Sequence, residues 1–333
     1  MSKGSKGEFK KLVFDKNTKK LELIHFESMK PQSGRVLVEV FYSGINYKDA
    51  LGVTGRGAIF KTNPIVPGID LVGRAQSGIY KGKMVLGQGS GFGESFDGGY
   101  TEQLLCDEEL LIPLPEGLSS EESMALGTAG FTAALAAHRM LENGQNPEKG
   151  PILVGGATGG VGSFAIQIFK KLGFEVHALT HRMEFEGYLK DLGADEVLNY
   201  KTVFSSDDKL KPLMASRWGG VVDNLGGGFL EKALPQVSLW GNVASIGLAR
   251  GVGFSSTVMP FILRGVSLLG VSSANCPKPL REKLWQYLAT DWKPSRISEL
   301  INQSLSLEEV LDASHKILDH KARPGRSLVK ILP

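Results

Sequence analysis

The chain has 333 residues, 38 Lys and Arg against 35 Asp and Glu, a formal net charge of +3 and only two cysteines. That length exceeds what one hydrophobic core usually supports, so two domains are expected. The small, scattered charge argues against a nucleic-acid partner, the lack of any run of about 18 apolar residues against a membrane span, and two cysteines without a CxxC pair against a disulfide framework, which leaves a reducing cytoplasm as the natural location.

The N-terminal MSKGSKGEFKK is basic without an apolar stretch and reads as a frayed end. Up to about residue 125 the chain then runs through short β-rich segments: EFKKLVF, LELIHF, GRVLVEVFYSGI, GKMVLG and GYTEQLLC. Gly, Pro and Asn separate them at short spacing, the pattern of an antiparallel, partly open barrel. From about residue 120 the pattern turns helical. SSEESMALGTAGFTAALAAHRMLENG reads as two helices punctuated by Gly127, opened by Ser119 and Glu122 as a capping box.

Strands and helices alternate next. PILVGG, FEVHALT, DEVLNY, GGVVDNLGG, GNVASIG and VSLLGVSS read as six strands, with SFAIQIFKKLG and EGYLKDLG as Gly-terminated helices among them. That alternation predicts a doubly wound parallel sheet. After residue 276, PLREKLWQYLATDW and EEVLDASHKILDH read as helices and SLVKILP as a closing strand that returns to the first domain. The fold class is therefore α/β. Residues 1–125, completed by 276–333, form a β-barrel domain, and 126–275 form a Rossmann domain.

The sharpest local motif is GGATGGVG, residues 155–162, between a predicted strand and a predicted helix. Ala157, Gly159 and Gly162 stand at the three fingerprint positions of a dinucleotide loop, and Gly156, Thr158, Gly160 and Val161 complete the turn. Small residues there let a pyrophosphate approach the backbone and the positive end of the following helix. A plain βα turn is the alternative. The second strand ends in Thr180, His181 and Arg182, where an NAD site would place an acid for the ribose 2′-hydroxyl. A guanidinium suits a 2′-phosphate, which favours NADPH. Against this, Glu184 two residues on would serve a ribose. Tyr200, Leu225, Gly247, Leu248 and Ser272 follow later strands of the sheet, where ligands of such sheets gather. Arg326 is a further candidate for the cofactor, or a solvated loop charge.

GINYKD (44–49), PIVPGIDLVG (64–73), DGGYTEQ (97–103), GTAGFTAA (127–134), GGATGGVG, YLKDLGADEVLNY (188–200), PFILRGVSLLGVSS (260–273) and GRSLVKI (325–331) follow one another in order. In these the chain resembles the YhdH/YhfP-type branch of the medium-chain dehydrogenase/reductases, whose members carry the names quinone oxidoreductase and acrylyl-CoA reductase. The resemblance covers nearly the whole chain. It implies a GroES-like domain, a Rossmann domain, NADPH, a cleft active site with Tyr47 beside the nicotinamide, and a homodimer. The apolar run 267–273, at the edge of the sheet, fits such pairing.

Zinc enzymes of the superfamily bind their metal through a Cys in the first of these motifs and a His with a neighbouring acid in the second. Here the positions read Asn46 and Ile69-Asp70, a poor ligand set, so no metal is expected. Without a Lewis acid, hydride addition to a carbon–carbon double bond conjugated to a carbonyl is the feasible reaction. Asn46 and Tyr47 are the candidate donors to the developing oxyanion, with turn chemistry as the alternative for Asn46. Asp49 reads as a helix cap, and Asp70 either lines the site or is a buried scaffold group. Arg56, Lys61 and Arg264 are possible phosphate ligands for a CoA thioester. Phe60, Phe92 and Phe96 are possible walls for a quinone. Quinone reduction, and dinucleotide binding without turnover, are the competing functions.

Overall fold

The computed structural model describes residues 8–204 and 211–332; the first seven residues of the N-terminal basic stretch lie outside them. The chain divides into two compact units. Of the described residues, the first unit comprises 8–128, 274–289 and 297–332, and the second 129–204, 211–273 and 290–296.

The first unit opens with a hairpin of β1 (Glu8–Asp15) and β2 (Lys20–Glu27), paired over their full length. Then come β3 (Arg35–Gly44), α1 (Tyr47–Val53), β4 (Asp70–Ala75), β5 (Met84–Gln88), β6 (Gln103–Asp107) and β7 (Leu111–Pro113). β3 changes partners along its length. Its first half pairs with β6, its middle with β4 and its end with the last strand of the chain. A strand shared in this way curls the sheet, as the barrel pattern predicts. Two clusters fill the curl. One packs Val36, Val38, Leu71, Val85 and Leu104, and the other packs Phe14, Val53, Phe60 and Ile65.

The two helices expected around Gly127 form one element, α2 (Ser120–Glu142), broken at Gly127, whose φ of 45° and ψ of −149° are not helical. Ser119 and Glu122 exchange hydrogen bonds of 2.9 and 3.0 Å at its start, as the capping box requires.

The second unit alternates strands and helices: β8 (Ile152–Gly155), α3 (Gly160–Lys171), β9 (Val176–Thr180), α4 (Glu186–Asp191), β10 (Glu196–Asn199), α5 (Tyr200–Val203), β11 (Trp218–Asp223), α6 (Gly227–Ala233), β12 (Val237–Ser245), α7 (Met259–Arg264) and β13 (Ser267–Gly270). All six strands are parallel, in the order β10-β9-β8-β11-β12-β13. This is the doubly wound order of dinucleotide-binding sheets, with its switch point between β8 and β11. β8 and β11 are buried throughout, which is why both read as apolar apart from Asp223 at the end of β11.

The chain closes with α8 (Lys278–Ala289), β14 (Ile301–Leu305), α9 (Val310–Leu318) and β15 (Arg326–Lys330). β15 pairs antiparallel with β3 in the first unit. β14 lies parallel to β15, an edge strand that INQSL, half polar and without alternation, does not announce.

Candidate active site

Within the second unit the glycine loop follows β8 and opens α3. Gly159 is the N-cap of α3, and no side chain caps that end. The amides of the first turn are therefore left to a ligand, and the helix dipole favours an anion there. A Cβ on Gly162 would stand 2.5 Å from the Gly156 carbonyl and 2.8 Å from the Ala157 Cα, so only glycine lets α3 close on the loop. Ala157 is fully buried and donates its amide to the Leu179 carbonyl at 3.2 Å. Val161 is half-buried on the same turn, and Thr158 is half-buried within the loop.

The other expected contacts lie at the carboxyl ends of neighbouring strands. Thr180 ends β9, and its hydroxyl accepts the Arg182 amide at 2.9 Å, which fixes the turn. Tyr200 does not extend β10 as expected but starts α5, capped by the Asn199 side chain. Its ring is buried among Phe204 and Phe229, and His181 stacks on it with centroids 4.2 Å apart. Tyr200 thus supports His181. Leu225 follows β11, Gly247 and the exposed Leu248 follow β12, and Ser272 follows β13.

Sequence reasoning missed two residues here. Asp223 accepts the Leu225 and Gly226 amides on one oxygen at 2.9 and 2.8 Å, while its other oxygen is buried without a partner. Burial pushes its carboxyl above the usual range. Asn224 donates to the Gly155 carbonyl at 2.8 Å and leaves its own buried oxygen unpaired beside the glycine loop. An orphaned acceptor, an uncapped helix end and a cradle that a Cβ would fill are what a dinucleotide needs.

Within the first unit the GINYKD motif ends β3 and starts α1. Asn46 is the N-cap, and Asp49 closes on it. One Asp49 oxygen accepts the Asn46 amide at 2.9 Å and its side-chain nitrogen at 3.1 Å, and the other accepts the Ile69 amide at 3.0 Å. The Asn46 side chain also donates to Asp70 at 2.8 Å. Asp70 further accepts the Thr128 amide and hydroxyl, at 2.8 and 2.6 Å, and lies 3.9 Å from an Arg326 nitrogen. All of these except half-buried Thr128 are buried. The Asp70 carboxylate stands close enough to raise the proton affinity of Asp49. Burial first, and the Asp70 charge second, push Asp49 up to about 7. Beneath them Tyr100 donates to the Gly44 carbonyl at 3.1 Å, and burial holds its hydroxyl well above its ordinary value.

This network corrects two expectations. Asn46 spends its amide nitrogen on two carboxylates, so its geometry is that of a turn-fixing group and not of an oxyanion donor. Arg326 is 5% exposed and donates to the Ala125 and Ile45 carbonyls, so it braces the network and is no cofactor ligand in this conformation. Of the alternatives for Asp70, the structure shows the buried scaffold. Tyr47, the first residue of α1, is 42% exposed and projects outward from the fixed turn.

The substrate-side expectations also change. Arg56 pairs with Asp319 at 2.7 Å and Lys61 with Glu94 at 2.6 Å. Arg264 is taken by the Pro235, Val237 and Met214 carbonyls. Phe92 is buried, and Phe60 is buried against Phe14, which leaves only Phe96 exposed among the three aromatic candidates. Among the described residues no group of three or more His, Cys, Asp or Glu is placed to hold a metal, and Cys106, with burial pushing its thiol up to about 12, is a core residue. No described helix is long and apolar enough to cross a membrane.

Comparison with known proteins agrees with this architecture. The model of the zinc-binding dehydrogenase family matches residues 160–290. The Bacillus subtilis protein YhfP, which carries a quinone-oxidoreductase name, is 43% identical over 305 residues, 90% of this chain and 91% of its own. Its crystal structure with NAD bound superposes with a TM-score of 0.91 over 97% of this chain and 99% of its own, at 40% identity. The acrylyl-CoA reductase AcuI of Ruegeria pomeroyi is 41% identical over 272 residues, 80% of this chain and 82% of its own. The yhdH oxidoreductase of Salmonella enterica, solved with NADP, is 37% identical with a TM-score of 0.91, covering 97% of this chain and all of that one. The parallel six-stranded sheet and these identities over most of the length have one explanation: the chain belongs to the YhdH/YhfP-type oxidoreductase family of the medium-chain dehydrogenases/reductases.

Proposed function

We propose that the chain is an NADPH-dependent reductase that adds hydride to a carbon–carbon double bond conjugated to a carbonyl, in acryloyl-CoA or a related enone or enoyl thioester, without zinc. The observation that carries this reading is the first turn of α1. Where zinc relatives place metal ligands, Asn46 and Asp70 are consumed by internal hydrogen bonds, and Tyr47 beside them offers an exposed hydroxyl. A phenol hydroxyl in that place can donate to an oxyanion and is a poor ligand for a zinc ion.

NADPH would be held by the α3 amides behind residues 156–162, with Thr180, His181, Leu225, Gly247, Leu248 and Ser272 along the strand ends. Bound there, it supplies the hydride. The β-carbon of the substrate gains that hydride, and the π-electron pair moves to the carbonyl oxygen as an enolate. The Tyr47 hydroxyl donates a hydrogen bond to this oxygen in the transition state, and Asn46, Asp49 and Asp70 keep its turn in place. A proton from Tyr47 or from water then reaches the α-carbon.

The test is loss of NADPH absorbance with acryloyl-CoA, a simple enone and a quinone side by side, with and without chelator, for the wild type and Tyr47→Phe. Chelator-resistant turnover of the alkene substrates is expected, with a fall of about 100-fold in kcat for Tyr47→Phe. Turnover of the quinone alone would replace this reading with quinone reduction. Cofactor binding without turnover would favour a non-catalytic role.

A further inference from the structure

The side chain expected to read the cofactor's ribose is turned elsewhere. Arg182 lies over the Phe185 ring at 4.3 Å, and its Nε is 3.6 Å from the Glu184 carboxylate. A guanidinium facing a carboxylate has part of its charge already answered.

A second arginine reaches the same strand end from another direction. Arg250 sits in the loop after β12. Its amide donates to the Leu225 carbonyl at 2.8 Å. Its own carbonyl passes 2.7 Å from where a Cβ would stand on Gly227, so the backbone is seated against the turn after β11. The side chain crosses to the end of β9, with Nη1 2.7 Å from His181 Nε2 and Cζ 4.7 Å from the Tyr200 ring centroid. Among the described residues Arg250 has no carboxylate partner.

The site is therefore a planar cation steadied by one aromatic face and one imidazole nitrogen, with its charge uncompensated. Part burial, and then the Arg250 and Lys201 charges, hold His181 below its usual proton affinity, so near neutral pH its ring is an uncharged acceptor for Arg250. Each feature is independent of the glycine loop, which binds the pyrophosphate that NADH and NADPH share. The extra group of NADPH is a 2′-phosphate, and in a doubly wound sheet the adenosine ribose lies at the end of the second strand, here β9. A guanidinium fork is the natural partner for such a dianion. The family itself shows that the fold does not decide the matter, since one relative was solved with NAD and another with NADP.

We propose that Arg250, and not Arg182, selects NADPH over NADH by binding the 2′-phosphate, with His181 and Tyr200 holding its guanidinium in place. This rests on NADPH being the cofactor.

The test needs no substrate. Dissociation constants for NADPH and NADH are measured by fluorescence titration of the full chain as wild type, Arg250→Gln, Arg250→Lys and Arg182→Gln. Arg250→Gln is expected to weaken NADPH about tenfold or more and to leave NADH within about twofold, the size of one charge-assisted contact. Arg250→Lys should recover part of the loss, and Arg182→Gln should leave the ratio nearly unchanged. The proposal fails if Arg250→Gln keeps the wild-type preference, if it weakens both cofactors equally, or if Arg182→Gln carries the loss. A wild type that binds the two cofactors alike would instead overturn the NADPH reading itself.

Discussion

Asp49 and Asp70 hold one amide side chain between them, and the chemistry of the first unit follows from that arrangement. An Asn that donates to two carboxylates cannot rotate away, so the helix turn carrying Tyr47 is fixed before any substrate arrives. The arrangement has a cost that depends on pH. Asp49 titrates near 3.8 in an unfolded chain and at about 7 in the folded one, because of burial and then the Asp70 charge, which its hydrogen bonds offset only in part. Between those values the folded state binds the proton more tightly. The contribution of Asp49 to stability is therefore greatest at low pH, falls as pH rises through that window, and is flat above it. Urea midpoints measured across the window should show this fall in the wild type and a flatter profile in Asp49→Asn. A variant that keeps the full slope would show that another group titrates there. Each residue of the network was visible in the sequence as a polar side chain in an apolar motif. Their meeting was not, because Asn46, Asp70, Thr128 and Arg326 come from four distant segments.

At the level of elements, the α3 turn shows how far a local pattern reaches. The strand–glycine–helix order predicts a phosphate-binding turn, and β8, the loop and α3 take that form. The close approach is the reason for Gly162, since any Cβ there meets backbone and not a movable side chain. Gly162→Ala is expected to weaken NADPH binding about tenfold or more by pushing α3 off the loop, read by the same titration, with circular dichroism to confirm that the sheet is retained. Unchanged affinity would mean that the α3 amides are not the phosphate ligands. Gly127 is the second such position. It breaks α2 so that the Thr128 amide and hydroxyl turn on to Asp70, and a Cβ on it would stand 2.6 Å from that carboxylate. The sequence shows Gly127 as a break between helices, but not what the break serves. Arg182 marks the opposite limit. The nature and place of the residue were legible, but its rotamer was set by Phe185 and Glu184, while Arg250, nearly seventy positions away, took up the space.

For the molecule as a whole, β13 is the outer strand of the six-stranded sheet, paired only with β12 among the described residues. Next to it along the chain, α7 carries exposed Ile262 and Leu263. An open edge beside apolar side chains favours pairing with a second copy about a two-fold axis. Sedimentation is expected to show a species of twice the chain mass, and Ile262→Asp should shift it toward the monomer; a wild type sedimenting as a monomer would refute the pairing. By itself the sequence determined the α/β class, the order of the six parallel strands' segments and the place of the phosphate loop, because each depends on periodicity and on glycine at short range. The tertiary structure alone decided which polar groups meet. It turned Asn46 and Arg326 inward, left Tyr47 exposed and brought Arg250 to His181. Those outcomes depend on long-range packing that sets which buried donor finds which acceptor, and no local pattern encodes that choice.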